Sequence, residues 1–391
     1  MVGGEPRVRL EPFTHQVGGH TGMMRYDETT VCKPLCSREL SFYQALPPDM
    51  QPFTPRYKGL VSVWLERDSG GNLALVAGPH NDNNNHSQSQ HPLPPPAAAL
   101  RHKRSKTERQ LARDGPLMDR ACKDRLVGCR WGGSLGSDVP FHAEDANGND
   151  DRALERNRHN PWALHCHRAQ LSRMVAQGPL HRPHRFVLLE NVAWPFEQPC
   201  VLDLKMGTRQ HGDDASEDKR RRHTQRCQQS TSASLGLWLG GMQVFQVTSG
   251  HFLCRNKYYG RGLSGAGLRQ ALCQFLHDGQ RLRRVLIGPV LRRLRQLRAV
   301  IQRMGSCRFY SSSLLLIYEG VACPPPAAAA TTGDQPPLPP PLVDVRMIDF
   351  AHTTFHGSSH THSPAHSGPD SGYIFGMENL IAILQEIHNG Q

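Results

Sequence analysis

The chain has 391 residues, 38% of them hydrophobic, and a formal net charge of +12. That length allows one large two-lobed domain or two smaller ones. The charge asks for an anionic partner, with nucleic acid, an acidic membrane and a phosphorylated small molecule all open. No apolar run approaches membrane-spanning length, the first nine residues are polar and charged, and the eleven cysteines form no CxxC pair. A soluble, reduced protein of the cytoplasm or nucleus is therefore expected. Cys32 and Cys36 lack further Cys or His ligands nearby, which argues against zinc.

Residues 10 to 77 read as a folded unit. Thr30 to Pro34 is a short apolar strand carrying Lys33, and Arg38 to Leu46 is a helix with Ser37 at its N-cap and Glu39 in its first turn. Gly59–Leu65 and Leu73–Ala77 are strands joined by a turn through Asp68–Asn72. Together they predict a small antiparallel sheet with one helix. Residues 78 to 159 differ: an Asn/His/Gln/Ser stretch, a Pro/Ala run and a basic run from Arg101 to Arg113 bury too little apolar surface to offset ordering entropy. This is read as a disordered insert, its basic run a solvated linker.

Order resumes at Asn160. His167 to Val175 is helical, and residues 160 to 192 complete the first lobe, with Arg185–Val192 a strand ending in a polar break. Residues 193 to 320 begin a second lobe. Within it, Leu268 to Met304 is amphipathic at helical spacing, with Gly279 and Gly288–Pro289 as breaks. Arg308 to Tyr318 is a strand, residues 321 to 342 are a Pro/Ala linker, and Val343 to Phe350 is a strand ending in an acid. A His/Ser/Gly loop from His356 to Pro369 follows, and Phe375 to Ile387 closes the chain as a helix. The fold class is α+β, a small antiparallel lobe followed by a larger mixed α/β lobe.

The chemistry concentrates in Pro199-Cys-Val-Leu-Asp203-Leu-Lys205-Met-Gly207. An acid inside an apolar strand is costly to bury unless paired. Lys205, two residues on, projects to the same side as Asp203. Lys33 is a point charge for nucleotide phosphates, held by Glu39, and Glu190-Asn191-Val192 is placed like a hinge between lobes. Asp349 ends its strand as a hard oxygen ligand for magnesium would. Lys219, Arg220, Arg221, Arg222 and Arg226 form a basic segment close after Lys205, suited to converging phosphates. Ordinary ion pairs and solvated faces explain each of these singly. Their order, a strand lysine, a hinge, an acid–base pair and a late aspartate, is that of phosphoryl-transfer enzymes.

The string P-x-x-x-D-x-K-x-G resembles the signature of the inositol polyphosphate kinase family. Its continuation from Thr208 to Ser216 is similar to the inositol hexakisphosphate kinases within it. Leu10–His20, Cys254–Arg261, Ser312–Leu315, Asp349–His352 and Asp370–Asn379 carry the same likeness. The resemblance implies a two-lobed, protein-kinase-like fold with ATP and Mg2+ in the cleft. It implies γ-phosphate transfer to a phosphate of inositol hexakisphosphate, usually at position 5, with inositol pentakisphosphate as a further substrate. On this likeness Glu190, Asn191 and Val192 meet adenine, and Lys33, Asp203 and Asp349 bind nucleotide, Asp349 also holding the metal. Asp203, Lys205 and Asp349 are the catalytic set. Lys205, Lys219, Arg220, Arg221, Arg222, Arg226 and His352 face the inositol phosphate. A less phosphorylated inositol as acceptor, or a basic scaffold without activity, are the alternatives. A nucleic-acid binder would need stacking aromatics among its cations, and aromatics are only 7% of residues.

Overall fold

The computed structural model describes residues 7–80, 160–178, 182–321, 342–355 and 366–390. The expected disordered insert from 81 onward, nearly all of the Pro/Ala linker, and His356 to Ala365 of the His/Ser/Gly loop lie outside the described residues.

The first lobe is built from β1 (Val8–Pro12), β2 (Met24–Asp27), β3 (Thr30–Pro34), α1 (Ser37–Gln44), β4 (Tyr57–Arg67), β5 (Leu73–Pro79), α2 (Pro161–Ala176) and β6 (His184–Glu190). Its strands close into an antiparallel barrel in the order β1-β2-β3-β6-β4-β5. Closure removes exposed sheet edges. The barrel forms because β6, arriving after α2, pairs with both β3 and β4. Leu10, Met24, Cys32, Val61, Val63, Leu65, Leu75, Ala77 and Phe186 fill it, with Met174 of α2 added.

The second lobe contains β7 (Pro199–Met206), α3 (Glu217–Gln228), α4 (Thr231–Leu235), β8 (Leu237–Gln246), β9 (His251–Arg255), α5 (Lys257–Arg261), α6 (Gly265–Phe275) and α7 (Ile287–Arg303). Then come β10 (Arg308–Phe309), β11 (Ser313–Glu319), β12 (Val343–Ile348), β13 (Thr353–Thr354) and α8 (Ser371–Asn389). The main sheet runs β12-β11-β7-β8-β9, antiparallel throughout. β7 lies at its centre and is buried along nearly its whole length. The apolar stripe of α7, Leu291, Leu294, Leu297 and Ile301, joins Leu380, Leu384 and Ile387 of α8 in one core.

Local boundaries depart from the sequence reading in physically simple ways. Gly288–Pro289 does not break α7; Pro289 sits in its first turn, where the missing N–H has no partner to lose. Cys36 rather than Ser37 occupies the N-cap of α1 and makes no side-chain cap bond. α2 starts at Pro161, where the Asn160 side chain accepts the Trp162 N–H. The strand expected from Arg308 to Tyr318 splits at Ser311, whose φ is +62°. α8 starts at Ser371, capped by Asp370, which also accepts the Phe309 N–H.

Candidate active site

β7 places Asp203 and Lys205 on one face of the sheet. Asp203 stands opposite Leu315 of β11, and Lys205 opposite Ser313. Because β7 is covered on both faces, Asp203 is only 2% exposed. Its Oδ1 is buried without a hydrogen-bond partner of ordinary length, and the Ser313 hydroxyl is the polar group closest to supplying one. Such an orphaned atom costs roughly 1–3 kcal/mol and calls for an explanation.

Asp349 lies where β12 ends. Its φ of +67° is left-handed, rare for a residue with a side chain and worth about 1–3 kcal/mol of strain. Three contacts hold it there. Lys205 Nζ donates to Oδ2 at 2.7 Å and Lys33 Nζ to Oδ1 at 3.3 Å. The next backbone N–H, that of Phe350, donates to Glu39 Oε1 at 3.2 Å. Glu39 is 1% exposed and also accepts from Lys33 at 2.9 Å. Helix α1 thus touches both sides of the cleft. Its Phe42 and Tyr43 pack on Phe350 with centroids at 4.3 and 5.5 Å.

The electrostatics follow from this interleaving. Burial alone would raise the Asp349 carboxyl, but Lys205 and Lys33 hold it well below the usual range. Burial would lower both lysines, yet Glu39 and Asp349 keep Lys33 raised, and Asp349 and Asp203 do so for Lys205. Asp203 is the opposite case: burial raises it, Lys205 only partly compensates, and Asp349 adds to the rise. Two like acids share the site, one firmly ionised and one pushed toward neutrality. The Asp349 side chain stays a third exposed, so it faces the cleft.

Between the lobes, Val17, Phe196, Val201 and Ile317 form an apolar cluster of their own, with Val192 and Leu315 packed against it. Val192 comes from the interlobe connection; Val201, Leu315 and Ile317 come from the sheet. The connection is tied down by its own polar groups. Asn191 Nδ2 donates to the Glu28 carbonyl, its Oδ1 accepts from Ala193, and the Glu190 carboxylate accepts the Arg56 N–H.

The turn between β1 and β2 lies over Asp203. Gln16 folds it, donating to the Gly18 and Thr21 carbonyls and accepting from Met23. Gly18 stands so close to the carboxylate that its position has no room for a side chain, and a Cβ at Gly240 on the other side would press on Oδ1 at 3.0 Å. His20, on the same turn, feels the charges of Lys257, Asp349 and Lys205; burial is the main cause of its lowered pKa, and Lys257 the next.

On the other side stands α3. Ser216 caps it, accepting the Lys219 N–H, and Glu217 and Asp218 occupy its first turn. Lys219, His223 and Arg226 fall at i, i+4 and i+7 on one face. The charge of Lys219 is felt at His352, and that of Arg226 at His223 and Arg261. Burial, then Lys219 and Arg38, depress the His352 imidazole to about 4, and its Nδ1 has no partner. The other arginines are differently employed. Arg220 turns back onto the Ala215 and Asp213 carbonyls, Arg221 pairs with Asp218 in solvent, and Arg222 bonds the Asp218 carbonyl.

The structure therefore brings together Lys33, Asp203, Lys205 and Asp349, while Lys219 and Arg226 share a face of α3 and the charge of Lys219 is felt at His352. Arg220 and Arg221 are directed elsewhere. The apolar cluster, Gln16 and the buried role of Glu39 carry weaker sequence signals. Only the helix-turn position of Glu39 after a strand lysine announces any of them.

A family model described as inositol polyphosphate kinase matches residues 186–385. Inositol hexakisphosphate kinase 3 of Mus musculus is 50% identical over 389 residues, covering 98% of this chain and 96% of that protein. Inositol hexakisphosphate kinase 1 of Rattus norvegicus is 47% identical over 419 residues, covering 99% and 95%. A crystal structure of the S. cerevisiae inositol phosphate multikinase Ipk2 with ADP and Mn2+ aligns with a TM-score of 0.43 and 25% identity, over 52% of this chain and 84% of that one.

Proposed function

Because the chain belongs to the inositol polyphosphate kinase family, we propose that it transfers the γ-phosphate of ATP to a phosphate of inositol hexakisphosphate. We take position 5 as the target and inositol pentakisphosphate as a second acceptor. The two near-full-length relatives, both named for the hexakisphosphate activity, support that choice. The observation that carries the chemistry is the seating of Asp349 between Lys33 of one lobe and Lys205 of the other.

In this reading adenine enters the apolar cluster of Val17, Val192 and Leu315, with the backbone of Glu190 to Val192 along its edge. Lys33 meets the nucleotide phosphates, and Lys205 stands where donor and acceptor phosphates meet. The acceptor is already ionised, so no side chain has to remove its proton. Asp203 is then a positioning group on the nucleotide side rather than a base, in keeping with its burial. Lys219, Arg226 and His352 hold the inositol phosphates. Phosphoryl transfer needs alignment and charge neutralisation more than covalent help, and two ammonium groups in a partly enclosed cleft supply both.

Asp349, a hard carboxylate that faces the cleft and is held ionised by Lys205 and Lys33, suits Mg2+. Among the described residues no group of three or more His, Cys, Asp or Glu forms a metal cage, which leaves the remaining coordination to nucleotide and water. When bound, the ion neutralises charge on the transferring phosphates. Among the described residues no helix is long and apolar enough to cross a membrane; we place the enzyme in the cytoplasm or nucleus, where its substrates dissolve.

The test is incubation with ATP, Mg2+ and inositol hexakisphosphate, with products resolved by charge and Lys205→Ala as control. A more anionic product from the wild type, lost in the variant, is expected. Phosphorylation of inositol trisphosphate with the hexakisphosphate untouched would replace this substrate by the less phosphorylated one.

A further inference from the structure

β12 carries Asp349 just beyond its end, and three residues earlier it carries Arg346. Arg346 stands opposite Leu315, which stands opposite Asp203. Directly paired residues point to the same face of a sheet, so Arg346 lies on the cleft side. Its guanidinium reaches three separate pieces of chain. Nε donates to Asp344 Oδ2 at 2.6 Å, Nη1 donates to the Thr54 carbonyl at 2.9 Å, and Nη1 also faces Glu190 Oε2 at 3.5 Å. The same Glu190 oxygen accepts the Arg56 N–H at 2.9 Å. Thr54 and Arg56 lead into β4 of the barrel, Glu190 ends β6 at the connection between lobes, and Asp344 belongs to the second-lobe sheet. The arginine side chain is 17% exposed and Glu190 32%.

We propose that Arg346 is a positioning residue for the nucleotide, fixing the interlobe connection at Glu190 and so setting ATP affinity without touching the phosphates. The inference rests on the nucleotide reading above. Adenine is held at the connection after β6 and the phosphates at Asp349. The distance between those two ends must match the nucleotide. β12 is one rigid strand that ends at Asp349 and carries, through Arg346, the bond to the opposite end. A guanidinium suits the task because it stays charged at all accessible pH and offers a planar fork with fixed donor directions. Asp344 has a second partner in Arg293 at 3.4 Å, which is expected to limit damage to the sheet when Arg346 is altered.

The experiment measures KM for ATP and for inositol hexakisphosphate, together with the melting temperature, in Arg346→Ala, Arg346→Lys and Glu190→Gln. Arg346→Ala is expected to raise KM for ATP about tenfold while KM for the inositol phosphate moves by less than about twofold. Arg346→Lys should recover part of the loss, and Glu190→Gln should shift KM for ATP in the same direction by less. An unchanged KM for ATP overturns the proposal. So does a parallel rise in both KM values that tracks a falling melting temperature, the mark of a simple strut. Should Arg346→Ala fail to fold, Arg346→Lys and Glu190→Gln decide the matter by the same criteria. Asp349→Asn separates this inference from its premise. Loss of ATP affinity there, with none in the Arg346 variants, defeats the inference alone; undiminished affinity in Asp349→Asn defeats the nucleotide site and the inference together.

Discussion

Gly18 lies so close over Asp203 that a Cβ at that position would stand 1.9 Å from Oδ2. Gly240 closes from the other side, its Cβ position 3.0 Å from Oδ1. Gly18→Ala must therefore displace either the carboxylate or the turn that covers it. A shift of about 1 Å in such a constellation costs on the order of a hundredfold in turnover, and that is the loss expected. Gly288 in the first turn of α7, with nothing within 4 Å of its Cβ position, is the control. Gly288→Ala should keep full activity. Steady-state rates of the two variants settle the point, and an active Gly18→Ala enzyme would remove Asp203 from the mechanism.

Glu39 satisfies Lys33 and the Phe350 N–H at once. Deleting its carboxylate leaves a buried lysine with Asp349 alone. Glu39→Ala is expected to cost about 3 kcal/mol of stability, the usual penalty for breaking a buried pair. Glu39→Gln, which keeps an acceptor, should lose less. Denaturant titration compares them. Equal stability of Glu39→Ala and wild type would mean that the pair contributes nothing to holding α1 in place.

The cations of α3 should divide by direction. Lys219 lies close enough for its charge to lower the His352 pKa, whereas Arg221 pairs with Asp218 in solvent. Lys219→Ala is expected to raise KM for inositol hexakisphosphate at least about tenfold, as loss of a charge-assisted phosphate contact does. Arg221→Ala should change it by less than about twofold. Similar effects from both would indicate a diffuse attraction with no defined wall.

Burial, with Lys219 and Arg38 beside it, lowers His352 from 6.5 to about 4, and burial does the same to His167. As pH falls below 6.5 the unfolded chain takes up protons on these rings, while the folded chain declines them until about 4. The unfolded state thus binds more protons across that window, so stability rises with pH there. The contribution is fully present above 6.5 and fades as pH drops toward 4. Melting temperature should decline over this interval, and His352→Asn should decline less steeply than wild type. Identical slopes would show that His352 titrates normally in the fold.

Much of this arrangement was legible from local pattern. Lys33 on a short strand, Glu39 on the helix after it, and Asp203 with Lys205 at a two-residue spacing all lie where their sequence neighbours put them. The β6 strand was visible too, but not its place between β3 and β4, because pairing partners separated by more than a hundred residues leave no trace in periodicity. Gly288–Pro289 misled for a related reason: the same dipeptide stops a helix in its interior and starts one in its first turn. Arg346 reads as an ordinary strand arginine until Glu190 and Thr54 are folded against it. The left-handed Asp349 was unannounced because strain of that kind is imposed by partners from other elements, here Lys33, Lys205 and Glu39.

Lys33 and Asp349 are separated by 316 positions along the chain, yet they share a hydrogen bond. A ribosome making this protein therefore finishes the barrel long before the acid that its lysine awaits has been translated. Until β12 emerges and zips onto β11, the nascent chain holds a buried-to-be ammonium group with only Glu39 for company. Closing so large a loop is slow and leaves apolar sheet surface uncovered meanwhile. A chain released before residue 349 would consequently be a client for chaperones and proteases, never a partly active kinase.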